Sequence, residues 1–189
     1  MEVYEPREDS FLIQKYVSKY AKGIVLDIGA GTGILAEEAA KSKQVVKVFG
    51  VDINEDAIIY CIRHQKSKKI VYAMSNLFRL FKKDRRYMDT KFDTIIFNPP
   101  YLPNDPNVKD VALDGGKKGY ELICLFLHDA KRFLKPKGRI LLLFSSLTGR
   151  EKLDKFLLDN YWKFKLLEKK HIFFEDLFVY LIEKIENEG

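Results

Sequence analysis

Val25-Leu26-Asp27-Ile28-Gly29-Ala30-Gly31-Thr32-Gly33 is an apolar run that gives way abruptly to alternating glycines. The apolar residues read as a short buried strand from Gly23 to Ile28, and the glycines as a turn opening a helix from Gly33 to about Lys43. Glycines in such a turn let the backbone approach a ligand closely and take φ values that other residues resist. The spacing narrows the ligand. Ile34 stands where a dinucleotide fingerprint requires its third glycine, and Asp27 would repel a pyrophosphate but attract an ammonium group.

Working outward, strands alternate with helices. Phe11, Leu12, Tyr16, Val17 and Tyr20 recur at helical spacing between Glu8 and Tyr20. Val45 to Ile53 is β-branched and carries Asp52 near its end, after which Asn54 is a natural N-cap for a helix through Ala57, Ile58, Cys61 and Ile62. Ile70 to Met74, Lys91 to Phe97 and Arg139 to Ser145 read as further strands, Gly119 to Leu134 as a long amphipathic helix, and Lys135 to Gly138 as the turn between helix and strand. Another helix is expected near Glu151 to Asn160. Lys163 to Phe173 and Leu177 to Glu183 leave room only for a Phe174-Glu175-Asp176 turn, so they should form an antiparallel hairpin at one sheet edge. The fold class is therefore α/β: a seven-stranded, mostly parallel sheet with helices on both faces.

At 189 residues, 47% hydrophobic and 32% charged, the chain suits one soluble domain over residues 1–189, with an N-terminal helical segment at 1–22. No apolar run is long enough for a membrane span, and the acidic start Met1-Glu2-Val3-Tyr4-Glu5-Pro6 does not look like a secretory signal, so the cytoplasm is the expected location. Cys61 and Cys124 are expected to be buried free thiols, and His64, His128 and His171 have no metal-ligand spacing. The formal charge of +6 and the cluster Lys82, Lys83, Arg85, Arg86 allow contact with nucleic acid, although a solvated turn explains the cluster equally well.

Asp27 and Asp52 bracket the glycine loop. S-adenosylmethionine offers an ammonium for the first and two ribose hydroxyls for the second, whereas the plain alternative is that both merely cap turns. Asn98-Pro99-Pro100-Tyr101 follows the fourth strand at its carboxyl end, where open α/β sheets bind ligands. Two prolines fix φ and remove two backbone donors, leaving acceptors that suit an NH₂ group on a planar nitrogen, with Tyr101 available to stack on it. A glutamine amide and a nucleobase amino group both meet that description.

Asp27-Ile28-Gly29-Ala30-Gly31-Thr32-Gly33 together with Asn98-Pro99-Pro100-Tyr101 resembles the class I amino-methyltransferases, and Val3-Tyr4-Glu5-Pro6-Arg7-Glu8-Asp9-Ser10-Phe11-Leu12 resembles the N-terminal signature of their short HemK-related archaeal and eukaryotic branch. The resemblance covers nearly the whole chain and implies the class I, Rossmann-like methyltransferase fold, S-adenosyl-L-methionine as cofactor, and N5-methylation of the glutamine in the Gly-Gly-Gln motif of a class I release factor. It implies that Ser10, Asp27, Gly29, Gly31, Gly33, Asp52, Ile53, Asn76, Leu77 and Asn98 contact the cofactor, with Asn76 standing where the family usually has Asp, and that Asn98, Pro99, Pro100 and Tyr101 form the catalytic turn. Pro103, Pro106 and Gly115-Gly116-Lys117-Lys118-Gly119 make residues 102–118 read as a mobile loop beside the site, with an ordinary surface connection as the plain alternative. The resemblance further implies that the Gly-Gly segment of this loop lies near the substrate, and that a small zinc-binding activator protein covers the third strand, where Ile70, Val71 and Tyr72 would supply an apolar patch. Methylation of an adenine or guanine amino group in RNA or DNA, lysine methylation, and a non-catalytic partner subunit remain the competing readings.

Overall fold

The computed structural model describes residues 5–99 and 119–185. In chain order its elements are α1 (Glu8–Tyr20), β1 (Gly23–Ile28), α2 (Ile34–Lys41), β2 (Val45–Asp52), α3 (Glu55–His64), β3 (Ile70–Met74), α4 (Arg79–Lys83), β4 (Phe92–Phe97), α5 (Tyr120–Phe133), β5 (Leu134–Ser145), a 3₁₀ turn (Ser146–Thr148), α6 (Arg150–Asp159), β6 (Trp162–Ile172) and β7 (Glu175–Lys184). The strands form one sheet in the order β3-β2-β1-β4-β5-β7-β6. β1 to β5 are mutually parallel, and β7 lies antiparallel between β5 and β6. The expected seven strands and C-terminal hairpin are thus present.

Alternation along each strand divides the core between the two faces. Leu26 and Ile28 of β1 join an aromatic-rich cluster with Phe78, Phe81, Phe126 and Phe133, whereas Val25 points to the other face and packs with Leu12, Ile13, Leu35, Ala36 and Ile58. Each fully buried Phe contributes about 2 kcal/mol through area removed from water. Parity also sends Asp27 to the face carrying Val25, beneath α2.

Three local expectations need correction, the hairpin turn, the turn before β5 and the burial of Cys124, and one element was not foreseen. The hairpin turn is Phe173-Phe174, because Ile172 already pairs with Glu175. Lys135 to Gly138 does not precede β5 but lies within it: Lys137 has φ 57° and the β4–β5 register slips between Phe92 and Thr94, so the turn residues are absorbed as a bulge. α4 was not expected at all; it is a single short turn of helix that ends in Lys82 and Lys83, with Phe81 buried. Cys61 is buried as expected, while Cys124 is only half-buried. Asn54 does cap α3, its side chain accepting the Asp56 N–H at 3.0 Å.

Candidate active site

The carboxyl ends of β1, β2, β3 and β4 open into a cavity of about 610 Å³, bordered among the described residues by the start of α1, Leu122 of α5 and the β6–β7 hairpin. The glycine loop forms its floor. Gly29, Gly31 and Gly33 all have positive φ (72°, 54° and 81°), a conformation that costs a residue with a side chain about 1–2 kcal/mol. The Gly29 and Ala30 amides both donate to the Val51 carbonyl, at 2.8 and 3.0 Å, which ties the loop to the end of β2.

Asp52 completes that tie. Its Oδ2 accepts the Gly31 N–H and its Oδ1 accepts the Asn54 N–H, each at 2.9 Å. The capping reading of Asp52 is therefore correct as far as it goes. Each carboxylate oxygen has a second lone pair, and Asp52 still lines the cavity, so it can accept hydroxyl donors as well. Beside it, Ile53 exposes about half of its surface and Leu77 presents a second apolar wall. Leu77 has φ 46°, held by a Ser75 Oγ–H that donates to its carbonyl at 2.8 Å. A leucine in the left-handed region at a cavity wall is the kind of strain that binding sites retain.

Asn98 and Pro99 reach the cavity from the end of β4. Asn98 Nδ2 donates to Asp9 Oδ2 at 2.8 Å, which fixes the orientation of the amide, since a carboxylate oxygen can only accept. Asn98 Oδ1 is consequently left buried with no hydrogen-bond partner in the structure. An unpaired buried acceptor costs about 1–3 kcal/mol, so it is poised for a donor.

Of the residues singled out in the sequence, Ser10, Gly29, Gly31, Asp52, Ile53, Asn76, Leu77, Asn98 and Pro99 line this one cavity. Pro100, Tyr101 and the 102–118 loop fall outside the described residues. Asp27 and Gly33 are not among the lining residues. A Cβ on Gly33 would meet the Tyr72 hydroxyl at 2.6 Å, which makes it a packing glycine beneath the loop. Asp27 is fully buried, and no donor lies in full hydrogen-bond geometry to its carboxylate oxygens, the Ala36 amide being the neighbour that acts on them. Desolvation pushes its pKa up to about 8; the nearby Asp52 charge adds to the rise and the Ala36 amide partly opposes it.

Asp9 is the functional residue the sequence did not isolate. It lies inside the quoted N-terminal signature, but its partner is 89 residues away in the chain, a separation no local pattern reveals. The cavity also takes in Arg7, Glu8, Phe173 and Glu175. The Arg85–Arg86 cluster sits elsewhere: with Lys91 and Lys135 it borders a hollow beside Ile24, at the amino ends of β1 and β4 and so at the opposite end of the sheet. Of the three residues expected to form an apolar patch on β3, Ile70 and Tyr72 are buried in the core.

The chain matches the family described as methyltransferase small domain over residues 8–174. It is 36% identical over 185 residues to a candidate protein N5-glutamine methyltransferase of Methanocaldococcus jannaschii, covering 94% of this chain and 90% of that protein. It is 31% identical over 147 residues to a release factor glutamine methyltransferase of Geobacter sulfurreducens, spanning 70% of this chain and half of that longer protein. Among solved structures it resembles a chain of the E. cuniculi Mtq2–Trm112 complex, responsible for methylation of the eRF1 translation termination factor, with a TM-score of 0.71, 26% identity, and 98% of this chain and all of that chain covered.

Proposed function

The chain belongs to the methyltransferase small domain family, and on that premise we propose that it methylates the N5 nitrogen of a glutamine side chain in a class I release factor. The observation that carries this reading is the Asn98 amide, whose NH₂ is held by Asp9 while its Oδ1 stays buried and unpartnered at the cavity. A side-chain amide has two N–H donors in one plane. Asn98 Oδ1 accepts one and the Pro99 carbonyl the other, which fixes the nitrogen's position and the direction of its lone pair.

The cavity fits S-adenosylmethionine, the cofactor of this enzyme. Bound there, it supplies a methyl group on a sulfonium, an electrophile that needs only a well-placed nitrogen. Asp52 accepts from the ribose hydroxyls, Ile53 and Leu77 enclose the adenine, Asn76 meets its edge, and Gly29, Gly31 and Ser10 receive the methionine end. Asp27 sits behind the loop, where desolvation keeps it protonated until an ammonium seated over the glycines draws its raised pKa back down and favours the carboxylate. No general base is assigned, because methylation makes the amide nitrogen acidic enough to lose its proton.

The lining charges favour a protein target over a nucleic acid. Among the described lining residues Glu8, Asp9, Asp52 and Glu175 stand against Arg7, with Lys170 offsetting Glu8 at 3.9 Å, so the lining offers a phosphate backbone little cationic surface. No helix among the described residues is long and apolar enough to cross a membrane; we place the enzyme in the cytoplasm, as one domain. We further propose that a small activator protein pairs with the backbone of β3, an edge strand, since the side chains of Ile70 and Tyr72 are already committed to the core.

Incubation with radiolabelled cofactor and a class I release factor tests the main reading. Label should appear on the release factor and vanish when the Gly-Gly-Gln glutamine is replaced by alanine. Label that survives the replacement rejects the glutamine assignment.

A further inference from the structure

Phe173 and Phe174, the two loop residues of the β6–β7 hairpin, are 86% and 99% exposed. A large aromatic ring left in water is unfavourable, and two adjacent ones form an apolar spot of the kind that marks interaction sites. Phe173 also has φ 47°. Two-residue hairpins with positive φ at the first loop position take glycine there, and a bulky residue in its place is strained. The tip therefore carries two costs, exposure and backbone strain, that glycine would remove.

The tip is firmly held. Asp176, just beyond it, pairs with Lys169 at 2.8 Å and with His171 at 2.9 Å, and its amide donates to Ser146 Oγ at 3.0 Å. Glu175 accepts the Ser145 hydroxyl. The bonds to Ser145 and Ser146 fasten the hairpin end to the end of β5 and the 3₁₀ turn, and the Lys169 and His171 pairs tie its two strands together. Phe173 lines the same cavity as Asn98, so whatever carries the target nitrogen past the cavity mouth meets this rigid aromatic tip.

We propose that Phe173 and Phe174 form a docking surface for the polypeptide that flanks the target residue of the protein substrate. The flat rings bury against backbone and small side chains on either side of the target, while Lys169 and Lys170 beside the tip are committed to Asp176 and Glu8 rather than left free for the phosphates of a nucleic acid, whose bases could otherwise stack there. The proposal rests on the protein-glutamine reading only for the substrate used to test it.

The experiment compares the full chain, F174A and F173G for calorimetric binding of a class I release factor, for kcat and KM of glutamine methylation, and for thermal stability. Both variants should raise Kd and KM by about tenfold, the loss of an interface anchor, with kcat retained in F174A, whose ring lies outside the cavity lining. F173G should also raise Tm by about 3 °C by releasing the backbone strain, a combination that a structural role for the ring does not produce. Unchanged Kd and KM in both variants overturn the proposal, as does a wild-type chain that ignores the release factor or whose tip binds an RNA oligonucleotide instead. Tip-dependent binding without glutamine labelling keeps the docking surface and rejects the glutamine reading; glutamine labelling with a KM indifferent to both variants does the reverse.

Discussion

Asn98 shows how one hydrogen bond turns a symmetric-looking amide into a directed acceptor. With Asp9 holding the NH₂ at 2.8 Å, only Oδ1 can face a ligand. Asn98→Ala should lower kcat by at least about 100-fold, the usual scale for misplacing a reacting group, while cofactor Kd by calorimetry stays within about threefold. Asp9→Ala leaves the amide in place but free to rotate, so kcat should fall by about tenfold with the same small change in Kd. Asp27 makes a prediction of opposite kind. Its carboxyl releases a proton near pH 4 in the unfolded chain but only near 8 in the fold, where desolvation opposes ionisation. The folded state therefore holds the proton more tightly, and stability falls as pH rises from about 4 to about 8. Asp27→Asn should melt several degrees above wild type at pH 8 and alongside it near pH 4, while binding cofactor more weakly. Asn98, Asp52 and Gly29 were readable from sequence because each sits at the end of a strand that announces itself. Asp27 was readable as an acid, yet its position behind the loop follows from strand parity in a sheet whose covering helices are not written next to it.

At the scale of elements, the glycine loop separates two jobs that its spacing presents as one. Gly29 has open space before it, the nearest atom to an added Cβ being the Asn98 carbonyl oxygen at 3.9 Å, whereas Gly33 has the Tyr72 hydroxyl at 2.6 Å and Cys61 Sγ at 3.1 Å. Gly33→Ala combines left-handed strain with a clash under α2 and should cost about 2–3 kcal/mol in urea melts. Gly29→Ala carries only the strain and projects its methyl where a ligand would lie, so cofactor affinity should fall more than stability. Equal losses of stability in the two variants would contradict this division. The main strands and long helices were legible because burial on one or both faces imposes a period on the sequence. α4 was not, since a five-residue helix is too short to show one, and Lys135 to Gly138 looked like a turn because a bulge uses the same residues as a turn.

Among the described residues of the whole molecule, the charge around the two hollows is polarised along the strand direction. The carboxyl ends gather Glu8, Asp9, Asp52 and Glu175 with one cation, Arg7, around the cavity, and the amino ends gather Arg85, Arg86, Lys91 and Lys135 with one anion, Asp89. The net charge of +6 conceals this, because a sum carries no position. Arg85 and Arg86 are exposed, and the Arg86–Asp84 pair at 2.6 Å is a surface pair of little energetic weight, so reversing both charges should leave the fold intact. A nucleic-acid substrate neutralised at about six phosphates loses about 1000-fold in affinity between 50 and 200 mM salt. Recognition of a release-factor glutamine at an acid-lined mouth has no such dependence. Methylation of the release factor by wild type should therefore change by less than about threefold over that salt range, and R85E/R86E should follow the same curve. A steep salt dependence flattened by the double reversal would move the substrate to the basic end of the sheet, and a cavity that holds Asn98 at the other end could not then be where the methyl group is transferred.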